Sequence, residues 1–182
     1  MKNWLMKHLT GYTFWVIAAF LGFFTMLYTM HLIDPGFAAA SLGAKTLDMR
    51  FGYGPTEAYT LFSTLGADGR GIYVNLLFVD FVFIASFALV QDFLLRCAMG
   101  KAVRQTPLRL LLAFAFLRCA CDVLENISIL FMISRFPAQL PWLATLSGFL
   151  TQLKFIFLYL WLGAIPVALI ARIVLKGRRQ HA

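Results

Sequence analysis

Several polar and ionisable side chains lie within long apolar stretches of this 182-residue sequence. They are Asp80, Arg118, Asp122, Glu125, Asn126, Gln152 and Lys154. An ionisable group at the centre of a bilayer costs roughly 2.5–3.5 kcal/mol on insertion scales, so such groups usually pair with one another or serve a function. Carboxyl groups in an apolar site suit acid–base chemistry, and the same groups suit the binding of a polar head group.

The spacing of these residues predicts specific pairs. Arg118 and Asp122 are four residues apart and Asp122 and Glu125 are three apart, so all three share one helix face. Arg118 is expected to pair with Asp122, and Lys154 with Glu125 or Asp80. At about 1.5 Å per residue of helix, the carboxyls and Lys154 lie roughly 12–18 Å below the outer ends of their segments. Four ionisable groups on three helices therefore meet at similar depth.

Four roles are open for this cluster. It could hold helices together, bind an amphipathic molecule or lipid, or act as an enzyme on a lipid-like substrate. In the enzyme, Asp80, Asp122 or Glu125 would be the catalytic acid or base. Ion transport is disfavoured, because four short spans offer little for alternating access. No metal or cofactor is predicted, since the histidines are scattered and Lys154 would repel a cation.

The elements that position these residues are membrane spans. The chain is 61% hydrophobic and 13% charged, whereas soluble domains carry about 25% charged residues. Apolar segments occupy about 12–33, 71–95, 107–134 and 141–171, and each is at least as long as the roughly 20 residues that a transmembrane helix needs. Asp34-Pro35-Gly36 should end the first. The fold class is thus all-α, a four-transmembrane-helix bundle forming one integral membrane domain over 1–182.

The connection 34–70 carries its own pattern. Pro55-Thr56-Glu57 is typical of a helix start, and an apolar face follows at helical spacing. Its members are Ala58, Leu61, Phe62 and Leu65. This predicts a short amphipathic helix on the outer surface. Gly66 to Gly71 should turn the chain into the second span, and Arg70 with free N–H groups there could hold a phosphate. Arg70 and Tyr73 are therefore further candidates for ligand binding.

Charge sets the orientation. With the N-terminus inside, ten basic residues lie on the cytoplasmic side against four outside, which follows the positive-inside rule. The outer four are Lys45, Arg50, Arg70 and Arg135. Both termini are thus expected in the cytoplasm. The net charge of +8 is expected to meet anionic lipid, and no nucleic-acid partner is predicted because the basic residues cluster between apolar runs. The three cysteines should be packing residues without a disulfide.

One resemblance covers about residues 48 to 160. It is carried by Tyr53-Gly54-x-x-Glu57, Gly66-x-x-Gly69-Arg70-x-x-Tyr73, Asp80, Asp122-x-x-Glu125-Asn126 and a lysine in the last span. In this arrangement the chain resembles a set of small bacterial four-span membrane proteins of unknown function. The resemblance implies the same fold, an important polar face and a multi-pass protein of the bacterial inner (cytoplasmic) membrane. It implies no activity.

A second resemblance is local. Arg118-x-x-x-Asp122-x-x-Glu125-Asn126-Ile127 is similar to a helix of the membrane-associated eicosanoid and glutathione metabolism family, where such residues help to bind glutathione. That family has Asn where this chain has Asp122, and it places the helix second of four rather than third.

The sequence therefore predicts a small membrane protein that binds a lipid or hydrophobic ligand, or a partner membrane protein, through a polar intramembrane site in the outer half. A small intramembrane enzyme is the alternative. Membrane lipids are the expected partners, together with another membrane protein or a second copy of the chain.

Overall fold

The chain folds into α-helices joined by short irregular segments. A computed structural model describes residues 11–100 and 110–180. The elements are α1 (Gly11–Ala40), a 3-10 turn (Leu47–Met49), α2 (Pro55–Met99), a 3-10 turn (Leu110–Leu112), α3 (Ala113–Arg135) and α4 (Pro141–Gln180). No strand occurs in these two ranges, which confirms the all-α class.

Three of the helices are long and apolar enough to cross a membrane. The qualifying stretches are Thr13–Ala40, Pro55–Met99 and Pro141–Val174. The chain therefore has the composition and helix lengths of a membrane protein. Helix α3 is not among the three, and it carries Arg118, Asp122 and Glu125 within its apolar sequence.

Helix α1 corrects one prediction from the sequence. It runs through Asp34-Pro35-Gly36 to Ala40, so the expectation that this tripeptide ends the helix is wrong. Proline removes one backbone hydrogen bond and favours a kink, but packing beyond it keeps the next turn helical. Phe37 is 1% exposed and its ring lies 5.1 Å from that of Tyr73.

Helix α2 begins where the sequence predicts. Pro55 occupies its first turn, and the Glu57 carboxylate accepts a 2.7 Å hydrogen bond from the Gly54 N–H. The predicted apolar face of this first segment is buried. The turn predicted over Gly66 to Gly71 is wrong in extent. Only Gly66 leaves helical geometry, at φ 63° and ψ −170°, and the helix resumes directly after it. Residues 55–70 of the predicted loop are therefore mostly helical.

The remaining boundaries are simpler. Helix α4 begins at Pro141, where the last apolar segment starts, and continues past Pro166. The predicted start of the third span, near Pro107, lies outside the described residues, as do the N-terminal lysines and the basic residues of 101–109.

Two apolar clusters form the core. One is at the end where α2 begins and includes Leu47, Phe62 and Ile129; the other is at the opposite end and includes Leu95 and Trp161. The polar residues of the site lie between them. Helix α1 packs on α2 through phenylalanine rings and leaves most of its other large apolar side chains exposed.

Candidate functional site

An ion-pair network joins α3 to α4. Asp122 accepts from Arg118 at 2.6 Å through Oδ2 and from Lys154 at 2.9 Å through Oδ1. The Lys154 ammonium also lies 2.8 Å from Glu125 Oε2. All four residues are 7% exposed or less. Two cations and two carboxylates thus form a compact arrangement with no net charge.

The network also reaches α2, through Gln91 near the C-terminal end of that helix. The Arg118 Nε donates to Gln91 Oε1 at 2.8 Å, and the guanidinium lies 4.5 Å from the centre of the Phe87 ring. The Trp161 indole donates to the Gln91 carbonyl at 3.1 Å. Three helices are therefore linked around one arginine. Its Nη2 is buried and has no hydrogen-bond partner among the described residues.

Toward the start of α4 the network continues through hydroxyl groups. Thr151 donates to Glu125 Oε1 at 2.5 Å, and the Tyr53 hydroxyl is 2.5 Å from Ser147 Oγ. Burial raises the pKa of the Tyr53 phenol well above its ordinary value, and the nearby Glu125 charge raises it further. Tyr53 therefore keeps its proton at neutral pH and can donate a hydrogen bond.

Asp80 and Asn126 form a separate pair between α2 and α3. Asn126 Nδ2 donates to Asp80 Oδ2 at 2.7 Å. Asp80 makes no ion pair with a basic residue in the described part of the chain. It is 9% exposed and borders an empty space between α1 and α2.

The cap segment, defined here as residues 44–54, closes the bundle at the end where α2 begins. The Leu47 N–H donates to the Tyr73 hydroxyl at 2.9 Å, and that hydroxyl donates to Asp48 at 3.3 Å. On its other side the backbone of Tyr53 lies directly against Gly148, where a Cβ would overlap the Tyr53 carbonyl. Tyr73 and Gly148 thus set how closely the cap packs on α2 and α4.

Two adjoining cavities lie beneath the cap. The apolar cavity, of about 400 Å³, is bounded by α1, α2 and the cap. The charged cavity, of about 120 Å³, is bounded by the cap, α2, α3 and α4. Four residues line both. They are Asp48, Met49, Asp80 and Phe83. Arg118, Asp122 and Lys154 line only the charged cavity.

The structure brings most of the predicted site residues together. Asp80, Arg118, Asp122, Glu125, Asn126 and Lys154 are all buried between the helices, and both expected ion pairs on Arg118 and Lys154 form. Tyr73 lines the apolar cavity and holds the cap.

Two predicted residues lie elsewhere. Gln152 is exposed and faces away from the network, next to Gly52 of the cap. It immediately follows Thr151, which is fully buried, so the inward face of α4 passes through Thr151 and Lys154 instead. Arg70 donates to the Phe62 carbonyl at 2.9 Å and stacks 4.5 Å from the Phe136 ring. Its guanidinium therefore joins α2 to the segment that follows α3.

Asp48, Gln91 and Thr151 are site residues that the sequence reasoning missed. Gln91 lies near the C-terminal end of its apolar segment, where polar residues are ordinary, and Thr151 is a common residue in membrane helices. The spacing of Thr151 and Lys154, three residues apart on one face, was a usable signal. Asp48 had none, because its position depends on how the cap folds.

No group of three or more His, Cys, Asp or Glu within residues 11–100 and 110–180 is arranged to hold a metal ion. The chain matches no protein-family model, no curated protein and no solved structure. The site is therefore interpreted from its own geometry.

Proposed function

We propose that this protein crosses the membrane four times and binds a lipid or another amphipathic molecule in the apolar cavity. The single observation that carries the proposal is this cavity, whose volume lies in the range of about 300–1,000 Å³ typical of ligand sites. Most of its wall surface is apolar, and its polar side chains are His31, Asp34, Thr46, Asp48, Tyr73 and Asp80. This is the arrangement that holds a hydrophobic body and orients one polar end.

The fourth span in this proposal is α3. Its 23 residues give a length of about 34 Å at 1.5 Å per residue, enough for a hydrocarbon core of about 30 Å. The charges that make it more polar than the other helices are buried and paired within the bundle. Paired charges facing a bundle interior are tolerated in membrane helices.

The ligand's hydrophobic part fits between α1 and α2. Leu27 and Met30 of α1 face Leu76 and Leu77 of α2 across the cavity. Leu27 is 47% exposed, so the cavity communicates with the surface of α1 that would meet lipid. An amphipathic molecule can enter from the bilayer at this place.

The ligand's polar end fits against Asp48 and Asp80. These two residues lie where the apolar cavity adjoins the charged cavity. Behind them, the network around Asp122 is already paired. In this proposal the network has a structural role and holds α2, α3 and α4 together. The carboxyl groups of Asp48 and Asp80 contact the ligand.

The proposal is tested by filling the cavity. Leu27→Trp places a larger side chain at the cavity wall, whereas Leu21→Trp makes the same change on the same helix at a 65% exposed residue that lines neither cavity. Purified protein in phosphatidylcholine nanodiscs is irradiated with a diazirine-bearing long-chain alcohol, and the labelled peptides are mapped by mass spectrometry. Label is expected near Leu76 and Met49, retained in Leu21→Trp and reduced in Leu27→Trp.

Equal labelling of both variants would contradict the proposal, and so would label confined to the exposed faces of the helices. The melting temperatures of the two variants serve as the control, because a general loss of folding in Leu27→Trp would lower its melting temperature well below that of Leu21→Trp. A change of binding without a change of melting temperature assigns the effect to the cavity.

A second candidate is an intramembrane enzyme that uses Asp80 as acid or base on a lipid-like substrate. It is favoured by the position of Asp80 between the two cavities, with Arg118 and Lys154 on the far wall. If the protein is such an enzyme, the mass of the lipid bound to the wild type should change with time. Asp80→Asn should bind the probe alcohol normally, and the mass of its bound lipid should stay constant.

A further inference from the structure

The wall shared by the two cavities presents an unused hydrogen-bond acceptor, on Asp80. Asp80 is nine-tenths buried, and only its Oδ2 is used, by Asn126. Its Oδ1 makes no hydrogen bond with any described residue. Polar groups of buried residues normally have a partner, so the unused oxygen of Asp80 indicates a ligand that donates.

The cations nearby already form ion pairs, although the Nη2 of Arg118 has no hydrogen-bond partner among the described residues. Lys154 and Arg118 hold Asp122 and Glu125. In contrast, no basic residue in the described ranges forms an ion pair with Asp48 or Asp80. Asp34, an exposed residue that also lines the apolar cavity, has no such partner either. Three carboxyl groups therefore face the apolar cavity without an ion-pair partner among the described residues, and His31 is the basic side chain on the same wall.

A metal ion does not fit this arrangement. A divalent cation needs several oxygen ligands at about 2.0–2.6 Å, and no three acidic or histidine side chains of residues 11–100 and 110–180 converge in that way. The carboxyl groups are instead spread along the wall of a cavity of about 400 Å³. Such a wall suits an organic cation attached to a hydrophobic chain.

We propose that the cavity selects amphipathic molecules with a primary ammonium group, held by Asp80 and Asp48. This inference rests on the proposed function and names the class of its ligand. A primary ammonium has three donors and no acceptor, which matches the unused oxygen of Asp80 and the carboxyl of Asp48. The chain of the ligand lies along Leu76 and Leu77, toward Leu27.

The experiment uses the same photolabelling in phosphatidylcholine nanodiscs, now as a competition. Dodecylammonium, dodecyltrimethylammonium, dodecanol and dodecyl sulfate are compared at equal concentrations in the bilayer. Dodecylammonium should prevent labelling at a concentration about tenfold lower than dodecanol, the effect of one charge-assisted hydrogen bond. Dodecyltrimethylammonium, which carries the charge but no donor, should compete less well.

Matched variants locate the effect. Asp80→Asn and Asp48→Asn keep the side-chain shape and remove the charge, and each should reduce the advantage of dodecylammonium over dodecanol by about tenfold. Asp68→Asn makes the same change at an exposed residue that lines neither cavity and should retain the advantage.

The outcomes separate this inference from the proposed function. If all four competitors act equally in the parent, or dodecyl sulfate acts best, the ammonium proposal is overturned while cavity binding stands. If Leu27→Trp leaves labelling unchanged, the proposed function itself fails. Nanodiscs that also contain phosphatidylethanolamine identify the source of the ammonium group: competition by this lipid supports a lipid head group, and competition by dodecylammonium alone supports a single-chain amine.

Discussion

At the residue scale, one lysine joins the two carboxylates of α3. Lys154 lies 2.9 Å from Asp122 and 2.8 Å from Glu125 and is 7% exposed. Buried charges are stable only when each has its partner. The removal of Lys154 would leave two carboxylates close together on one helix face with Arg118 as the remaining cation.

Lys154→Met is therefore expected to lower the free energy of unfolding by about 3–5 kcal/mol, the usual effect of breaking a buried pair. Lys45→Met is the matched control, because Lys45 is exposed in the cap and forms no ion pair among the described residues; its effect should stay within about 0.5 kcal/mol. Unfolding by sodium dodecyl sulfate from dodecyl maltoside micelles measures both. Equal stability of the two variants would show that the network does not hold the helices together.

Part of the site could be predicted at this scale. Arg118, Asp122 and Glu125 follow helical spacing, and counting residues along each helix placed Lys154 at their depth. Gln152 was misassigned, because the residue that shares the inward face of α4 with Lys154 is Thr151, three positions before it. Asp48 was out of reach, since no periodicity exists in a segment that is held by hydrogen bonds to Tyr73.

At the element scale, the cap and the two parts of α2 depend on single glycines. Gly66 has φ 63° and ψ −170°, a backbone region that residues other than glycine rarely adopt. Gly148 lets the backbone of Tyr53 approach α4. Both positions are without side chains for reasons that the surrounding geometry explains.

Gly66→Ala is expected to lower the free energy of unfolding by about 1–3 kcal/mol through backbone strain. A steric clash does not contribute, because nothing lies within 4 Å of the added Cβ. Gly71→Ala is the control: it also has open space, and its φ is helical, so it should be neutral or stabilising by up to about 1 kcal/mol. Thermal unfolding of both in dodecyl maltoside compares them. A Gly66→Ala protein as stable as Gly71→Ala would mean that the break in α2 is not fixed at this residue.

Gly148→Ala is expected to push the cap away from α4 and to break the Tyr53–Ser147 hydrogen bond. Trypsin should then cut faster after Lys45 and Arg50, which lie in the cap. Gly163→Ala, on the same helix with nothing within 4 Å, should leave the cleavage rate unchanged. Equal cleavage of the two variants would argue against close packing of the cap on α4.

The boundaries of these elements were only partly predictable. The start of α2 follows from local chemistry, since Pro55 and Glu57 favour a first turn wherever they occur. Pro35 misled the prediction for α1, because the packing of Phe37 on Tyr73 overrides the local preference of proline. Residues that are distant in sequence make that contact, so a local pattern does not contain it.

At the scale of the whole molecule, the proposed topology places the two ends of α2 on opposite sides of the membrane. Ser63 is exposed near its start and Cys97 is exposed near its end. In a protein with Cys119 and Cys121 replaced by alanine, Cys97 should react with an impermeant maleimide only in inside-out vesicles.

Ser63→Cys, made with the three native cysteines replaced, should react in intact right-side-out cells. Labelling of both positions from the same side would contradict the four-span topology. The all-α class followed from the composition and the length of the apolar segments, whereas the number of spans and the side of each loop rest on sequence patterns that such labelling tests.

The most direct test of the account is native mass spectrometry of the gently solubilised protein, carried out on the parent, Leu27→Trp and Leu21→Trp. We expect one amphipathic molecule bound per chain in the parent and in Leu21→Trp, and its loss in Leu27→Trp. Retention of the same adduct in all three proteins, or no adduct in the parent, would contradict the claim that the apolar cavity is a binding site.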